Sequence, residues 1–133
     1  MKKTLLQDCV RIAIRNNTPS KHRRYGAYHH FSFIVQGNKI VEWSTNAAGK
    51  DIYSHFYSPT AMIHSECAAF KKAKGILDRT EPFQVINIRL NKKHELRISK
   101  PCRCCVEFLS TFNCDRVFFT NEDRFEMIKL GYQ

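Results

Sequence analysis

Leu6, Cys9, Val10 and Ala13 recur at i, i+3, i+4 and i+7, the spacing of one helix face, and the polar run "NNTPS" ends that segment. From His29 the period shortens to two. "HHFSFIVQ" and "KIVEWST" flank Gly37-Asn38, a two-residue connection suited to a tight β-hairpin. "NAAGKDIYSHFYSPTAMI" is aromatic and broken by Pro59, so it is expected to be mainly a surface loop. "HSECAAFKKAKG" carries good helix formers and ends in a glycine suited to a C-terminal cap. In "FQVINIRL", Ile86, Ile88 and Leu90 fall on one strand face, and "ELRIS" either pairs back across "NKKH" or continues the strand after a bulge. Pro101 fits the first turn of a helix over "PCRCCVEFLSTFN", with Val106, Leu109 and Phe112 spaced for burial and Asn113 placed to cap it. "RVFFT" reads as a further strand and "EDRFEMIKLGY" as a final short helix.

The order helix, hairpin, helix, strand, helix, strand, helix predicts a three-layer α/β/α sandwich. The section from Gln84 to Thr120 should be a right-handed crossover joining parallel strands. With 133 residues, 43% of them hydrophobic, the chain is expected to form one domain over residues 1–133. No stretch offers the ~18 uncharged apolar residues of a membrane helix, and "MKKTLLQDCVRIAIRNN" is charged throughout; an intracellular, soluble protein is expected, not a secreted one. Six cysteines do not then imply a disulfide framework, which belongs to small secreted chains with too few apolar residues for a core. Cys9, Cys67 and Cys114 lie in element-like patterns as small buried residues, while Cys102, Cys104 and Cys105 cluster. A formal charge of +10 suits a polyanionic ligand but serves solubility equally well.

On a helix, residues three apart differ by about 60° in azimuth and residues two apart by about 200°. Cys102 and Cys105 can therefore share a metal, and Cys104 is expected to pack instead. A helix N-terminus also favours the thiolate that zinc requires. His64, at the start of the other helix, supplies a third ligand if it sits at the helix entry with non-helical backbone. Three protein ligands leave a tetrahedral position open, the arrangement of a catalytic zinc site, and Glu66 stands beside it as a proton shuttle.

The pattern H-x-E, here His64 to Glu66, followed by P-C-x-x-C, here Pro101 to Cys105, resembles the zinc signature of the cytidine deaminase superfamily. That superfamily includes free cytidine and deoxycytidylate deaminases, tRNA adenosine deaminases, the APOBEC family and bacterial deaminase toxins. "LRISKPC" is most similar to a branch of bacterial and viral deaminase-like proteins. The resemblance covers most of the chain and implies a mixed sheet beginning with a β-hairpin. It further implies zinc on His64, Cys102 and Cys105, ring-nitrogen protonation and ammonia loss assisted by Glu66, and a substrate-sugar contact from Asn46. Ser65 stands where the family commonly has alanine.

A polymer substrate needs basic and aromatic groups around the pocket. "SKHRRYGAYHH" interleaves Arg23 and Arg24 with Tyr25 and Tyr28, and "DIYSHFYS" adds Tyr53, Phe56 and Tyr57. Together they read as a track for single-stranded DNA or RNA. They serve equally as the lid of a small-nucleotide pocket, with Arg23 or Arg24 on one phosphate. The leading expectation is cytosine-to-uracil deamination on a single strand. The alternatives are a deaminase of free cytidine or deoxycytidylate, an adenine deaminase, and a non-catalytic nucleic-acid-binding module; an intact Glu66 argues against the last.

Overall fold

The structure, a computed structural model, describes residues 1–17, 29–45, 47–48 and 62–130. Helix α1 (Lys3–Asn16) is followed by strands β1 (His29–Gln36), β2 (Lys39–Thr45), β3 (Ala47–Ala48) and β4 (Met62–Ile63), then α2 (Ser65–Ala73). Strands β5 (Phe83–Leu90) and β6 (Leu96–Arg97), helix α3 (Arg103–Ser110), and strands β7 (Cys114–Asn121) and β8 (Arg124–Lys129) complete the order. No helix among the described residues is long and apolar enough to cross a membrane.

The main sheet runs β2-β1-β5-β7-β8, with β6 paired to the end of β5. Gly37 and Asn38 both take positive φ, 60° and 61°, so the β1–β2 connection has the twist of the tight hairpin expected from the sequence. β5 and β7 are parallel, joined through α3, and the other pairings are antiparallel. "ELRIS" pairs back: Leu96 and Arg97 oppose Leu90 and Arg89, across a turn in which Asn91 Oδ1 accepts the Lys93 and Glu95 amides, each at 2.9 Å.

Strand alternation sorts the core into two layers. Ile86, Ile88 and Leu90 join Phe31, Phe33 and Val35 beneath Leu5, Cys9 and Ala13 of α1. On the opposite face Ile34, Val85 and Val117 meet Ala69, Phe70 and Ala73 of α2 and Phe108 and Leu109 of α3. This is the three-layer sandwich, with α1 on one side and α2 and α3 on the other among the described residues. The Phe70 ring lies 5.6 Å from Phe83, 5.6 Å from Phe108 and 4.4 Å from Phe112, so one aromatic cluster ties α2 to α3.

The last segment departs from expectation. "EDRFEMIKLGY" was expected to be helical, yet Arg124–Lys129 is a strand returning antiparallel along β7 from the turn at Glu122-Asp123, with Glu122 at φ 61°. A run of six or seven residues with three apolar side chains fits either period, and the open edge of β7 decides it. Met127, exposed on one face, and Ile128, packed on the opposite core, show the period of two. The helix after Pro101 also begins and ends more tightly than expected. Cys102 is its N-cap, Thr111 closes it, and the Asn113 carbonyl instead accepts the Phe83 amide at 2.9 Å.

Candidate metal centre and buried carboxyl

Two helix N-termini meet on the α2/α3 face of the sheet. His64 is the N-cap of α2, with extended backbone at φ −66° and ψ 144°, the non-helical entry that an H-x-E ligand requires. Cys102 is the N-cap of α3, at φ −71° and ψ 162°, and its sulfur accepts the Cys105 amide at 3.4 Å. The two sulfurs are therefore adjacent because a thiol has taken the place of a capping oxygen, rather than because both lie on one helical stripe. His64 Nδ1 lies 3.1 Å from Cys105 Sγ and 3.6 Å from Cys102 Sγ.

One ligand atom from each of His64, Cys102 and Cys105 lies within 4.8 Å of the others. Tetrahedral zinc at ~2.3 Å from sulfur and ~2.1 Å from nitrogen sets neighbouring ligand atoms ~3.6–3.8 Å apart; the His64–Cys102 distance of 3.6 Å has this spacing and the His64–Cys105 distance of 3.1 Å is shorter. Two thiols and one imidazole are the donors zinc prefers, so the residues fit the metal. Cys104 is not in this group, and among the six cysteines, all of them described, none is in a disulfide. Hydrogen bonds from Cys105 and His64 bring Cys102 down to about 4 despite burial, while bonding to Cys102 and Cys67 and burial hold Cys105 above the ordinary thiol value.

Glu66, in the first turn of α2, is 6% exposed. Burial raises its carboxyl above the usual range; a backbone amide, the Asn87 amide and His64 act in the opposite direction. Asn87 Nδ2 donates to Glu66 Oε2 at 2.9 Å, and Ser65 Oγ lies 3.3 Å from Oε1. Ser32 Oγ donates to Asn87 Oδ1 at 2.7 Å and lies 2.7 Å from Ser65 Oγ. Beyond Asn87, the Ser99 hydroxyl donates to the Asn87 carbonyl at 2.9 Å and lies 2.7 Å from Thr120 Oγ1.

The register of β1 against β5 grades this face. Ile34 opposes Val85 in the apolar core, Ser32 opposes Asn87 at the carboxyl, and His30 opposes Arg89 at the strand end. His64, Cys102 and Cys105, singled out in the sequence, are brought together by the fold, whereas this polar row was not expected. The signal was there to use: Asn87 in "VINIR" and Ser32 in "FSFIV" are polar residues at inward positions of otherwise apolar strands. Asn46, Arg23, Arg24, Tyr25, Tyr28, Tyr53, Phe56 and Tyr57, the expected substrate-binding residues, lie outside the described residues.

No protein-family model matches this sequence, and no curated protein matches it significantly. Solved structures do. A cytidine deaminase from Burkholderia pseudomallei is similar with a TM-score of 0.64 and 14% identity, over 97% of this chain and 93% of that one. A dCMP deaminase from the cyanophage S-TIM5, in apo form, has a TM-score of 0.60 and 13% identity, over 92% and 87%. The S-TIM5 enzyme in complex with dCMP and dUMP has a TM-score of 0.55 and 11% identity, over 88% and 81%. The chain has the cytidine deaminase-like α/β/α fold expected from its sequence.

Proposed function

We propose that this protein is a zinc-dependent hydrolytic deaminase that converts cytosine to uracil. The observation that carries the reading is the convergence of His64, Cys102 and Cys105 at two helix N-termini, with the buried Glu66 two residues from the histidine. Nothing in the packing calls for a carboxyl there. Bound zinc supplies Lewis acidity to a water molecule. Glu66 takes one proton at a time from that water and returns it to the base. Of the water's two hydrogens, one ends on the ring nitrogen N3 and the other leaves with the amino group as ammonia, while the oxygen becomes the C4 carbonyl. A carboxyl raised by burial suits a group that must hold a proton between these transfers.

The carrier of the cytosine is proposed to be single-stranded DNA or RNA. Support comes from the sequence, where Arg23, Arg24, Tyr25 and Tyr28 interleave charge with aromatic stacking surface, and from the charge of +10. A second reading, a free cytosine nucleotide or nucleoside, draws on the fold neighbours, which are a cytidine deaminase and a dCMP deaminase. One mass-spectrometric assay separates the two. Zinc-loaded protein is offered cytidine, deoxycytidylate and single-stranded DNA and RNA oligonucleotides, and product is read as a gain of about one dalton. Product on oligonucleotides alone supports the first carrier, and product on monomers alone the second. Glu66→Gln should lower turnover by about 10²–10⁴ with zinc retained. No product on any substrate, or native-like turnover by zinc-loaded Glu66→Gln, sinks the proposal.

A further inference from the structure

We propose that Asn87 is a positioning residue for Glu66, and that Ser32 sets the orientation of its amide. The inference rests on the deaminase reading for its chemistry and on the hydrogen-bond count for its geometry. Asn87 is 3% exposed and its side chain meets three groups: Ser32 Oγ at 2.7 Å from Oδ1, and Glu66 Oε2 at 2.9 Å and the Ser99 carbonyl at 3.4 Å from Nδ2. Turning the amide over would set Oδ1 against two acceptors, a carboxyl oxygen and a carbonyl. Only one orientation satisfies all three contacts.

The hydroxyls fix it further. Ser32 has one hydrogen, and Asn87 Oδ1 can only accept, so that hydrogen is committed to Asn87. The 2.7 Å bond between Ser32 and Ser65 is therefore donated by Ser65. Ser65 Oγ also reaches Glu66 Oε1 at 3.3 Å, so its one hydrogen is divided between a short contact to Ser32 and a longer one to the carboxyl. The carboxyl is left with two unlike oxygens: Oε2 held by Asn87 at 2.9 Å, and Oε1 held only by the longer contact to Ser65 at 3.3 Å. β1, β5 and α2 each contribute to this circuit, so it forms only in the folded sheet. Ser65, which stands in place of the superfamily's common alanine, belongs to the same circuit.

The test compares the zinc-loaded native protein with Asn87→Ala, Ser32→Ala, and Ile88→Ala as a control that opens the core on the opposite face of the sheet. Three quantities are read: zinc stoichiometry, kcat and KM separately on whichever cytosine substrate is turned over, and the infrared carboxyl band that Glu66→Gln removes. Asn87→Ala should lower kcat about 10–100-fold with KM and zinc unchanged, and should move the band. Ser32→Ala should do the same to a smaller extent, because the amide is then free to turn. Ile88→Ala should lower thermal stability and leave the band in place. A band unmoved in both site variants, or a kcat within about twofold of native in both, overturns the proposal. If Asn87→Ala does not fold, Ser32→Ala decides. If the native protein turns over no cytosine substrate, the function proposed above fails, and the infrared comparison still decides whether Asn87 orients Glu66.

Discussion

His30 should give this fold a measurable acid sensitivity. It lies on β1 opposite Arg89 of β5, and His64 and His29 also bear on it. Burial first, then the Arg89 guanidinium and the two neighbouring imidazoles, bring it from 6.5 down to about 4. Between those values the unfolded chain binds a proton that the folded protein refuses, so stability falls as pH falls through the window and is present in full above pH 6.5. At about 1.4 kcal/mol per pH unit the interval is worth about 3 kcal/mol, a ceiling because the side chain is only partly buried and solvent screens some of the repulsion. The assay is urea denaturation of native protein and His30→Gln in the same metal state, at several values from about pH 7.5 to 4. The native protein should lose about 2–3 kcal/mol more than the variant across the window. Parallel curves, differing by less than about 0.5 kcal/mol, would refute the placement of His30 against this cationic surface.

Two further perturbations separate the metal site from its frame. Cys105→Ser should lose zinc, whereas Cys104→Ser should keep it, as measured by metal content after gel filtration; equal loss in both would contradict the grouping of His64, Cys102 and Cys105. Phe108→Ala should cost about 3–5 kcal/mol in chemical denaturation, because the ring is fully buried and lies 5.6 Å from Phe70 and 5.1 Å from Phe112. Its zinc affinity should fall as well, since that cluster sets the distance between His64 on one helix and the cysteines on the other; an unchanged affinity would mean that the helix ends hold the site alone.

The sequence by itself determined the parts whose cause is local. Gly37-Asn38 accepts positive φ twice and so makes the hairpin turn whatever surrounds it. The candidate metal group was legible for the same reason: His64, Cys102 and Cys105 are residue types with few other reasons to recur beside helix starts, and the fold brings them within 4.8 Å of one another. Tertiary structure decided the rest. The short run from Arg124 to Lys129 satisfied both periods and became a strand only because β7 offered an unpaired edge. Cys102 met Cys105 through an N-cap that no azimuth calculation anticipates. The circuit from Ser32 through Asn87 to Glu66 joins residues 55 and 21 positions apart, on two strands and a helix. A hydrogen bond has no reach along the chain; it depends on distance and angle, and those exist only once the β1–β5 register and the seat of α2 on the sheet are set.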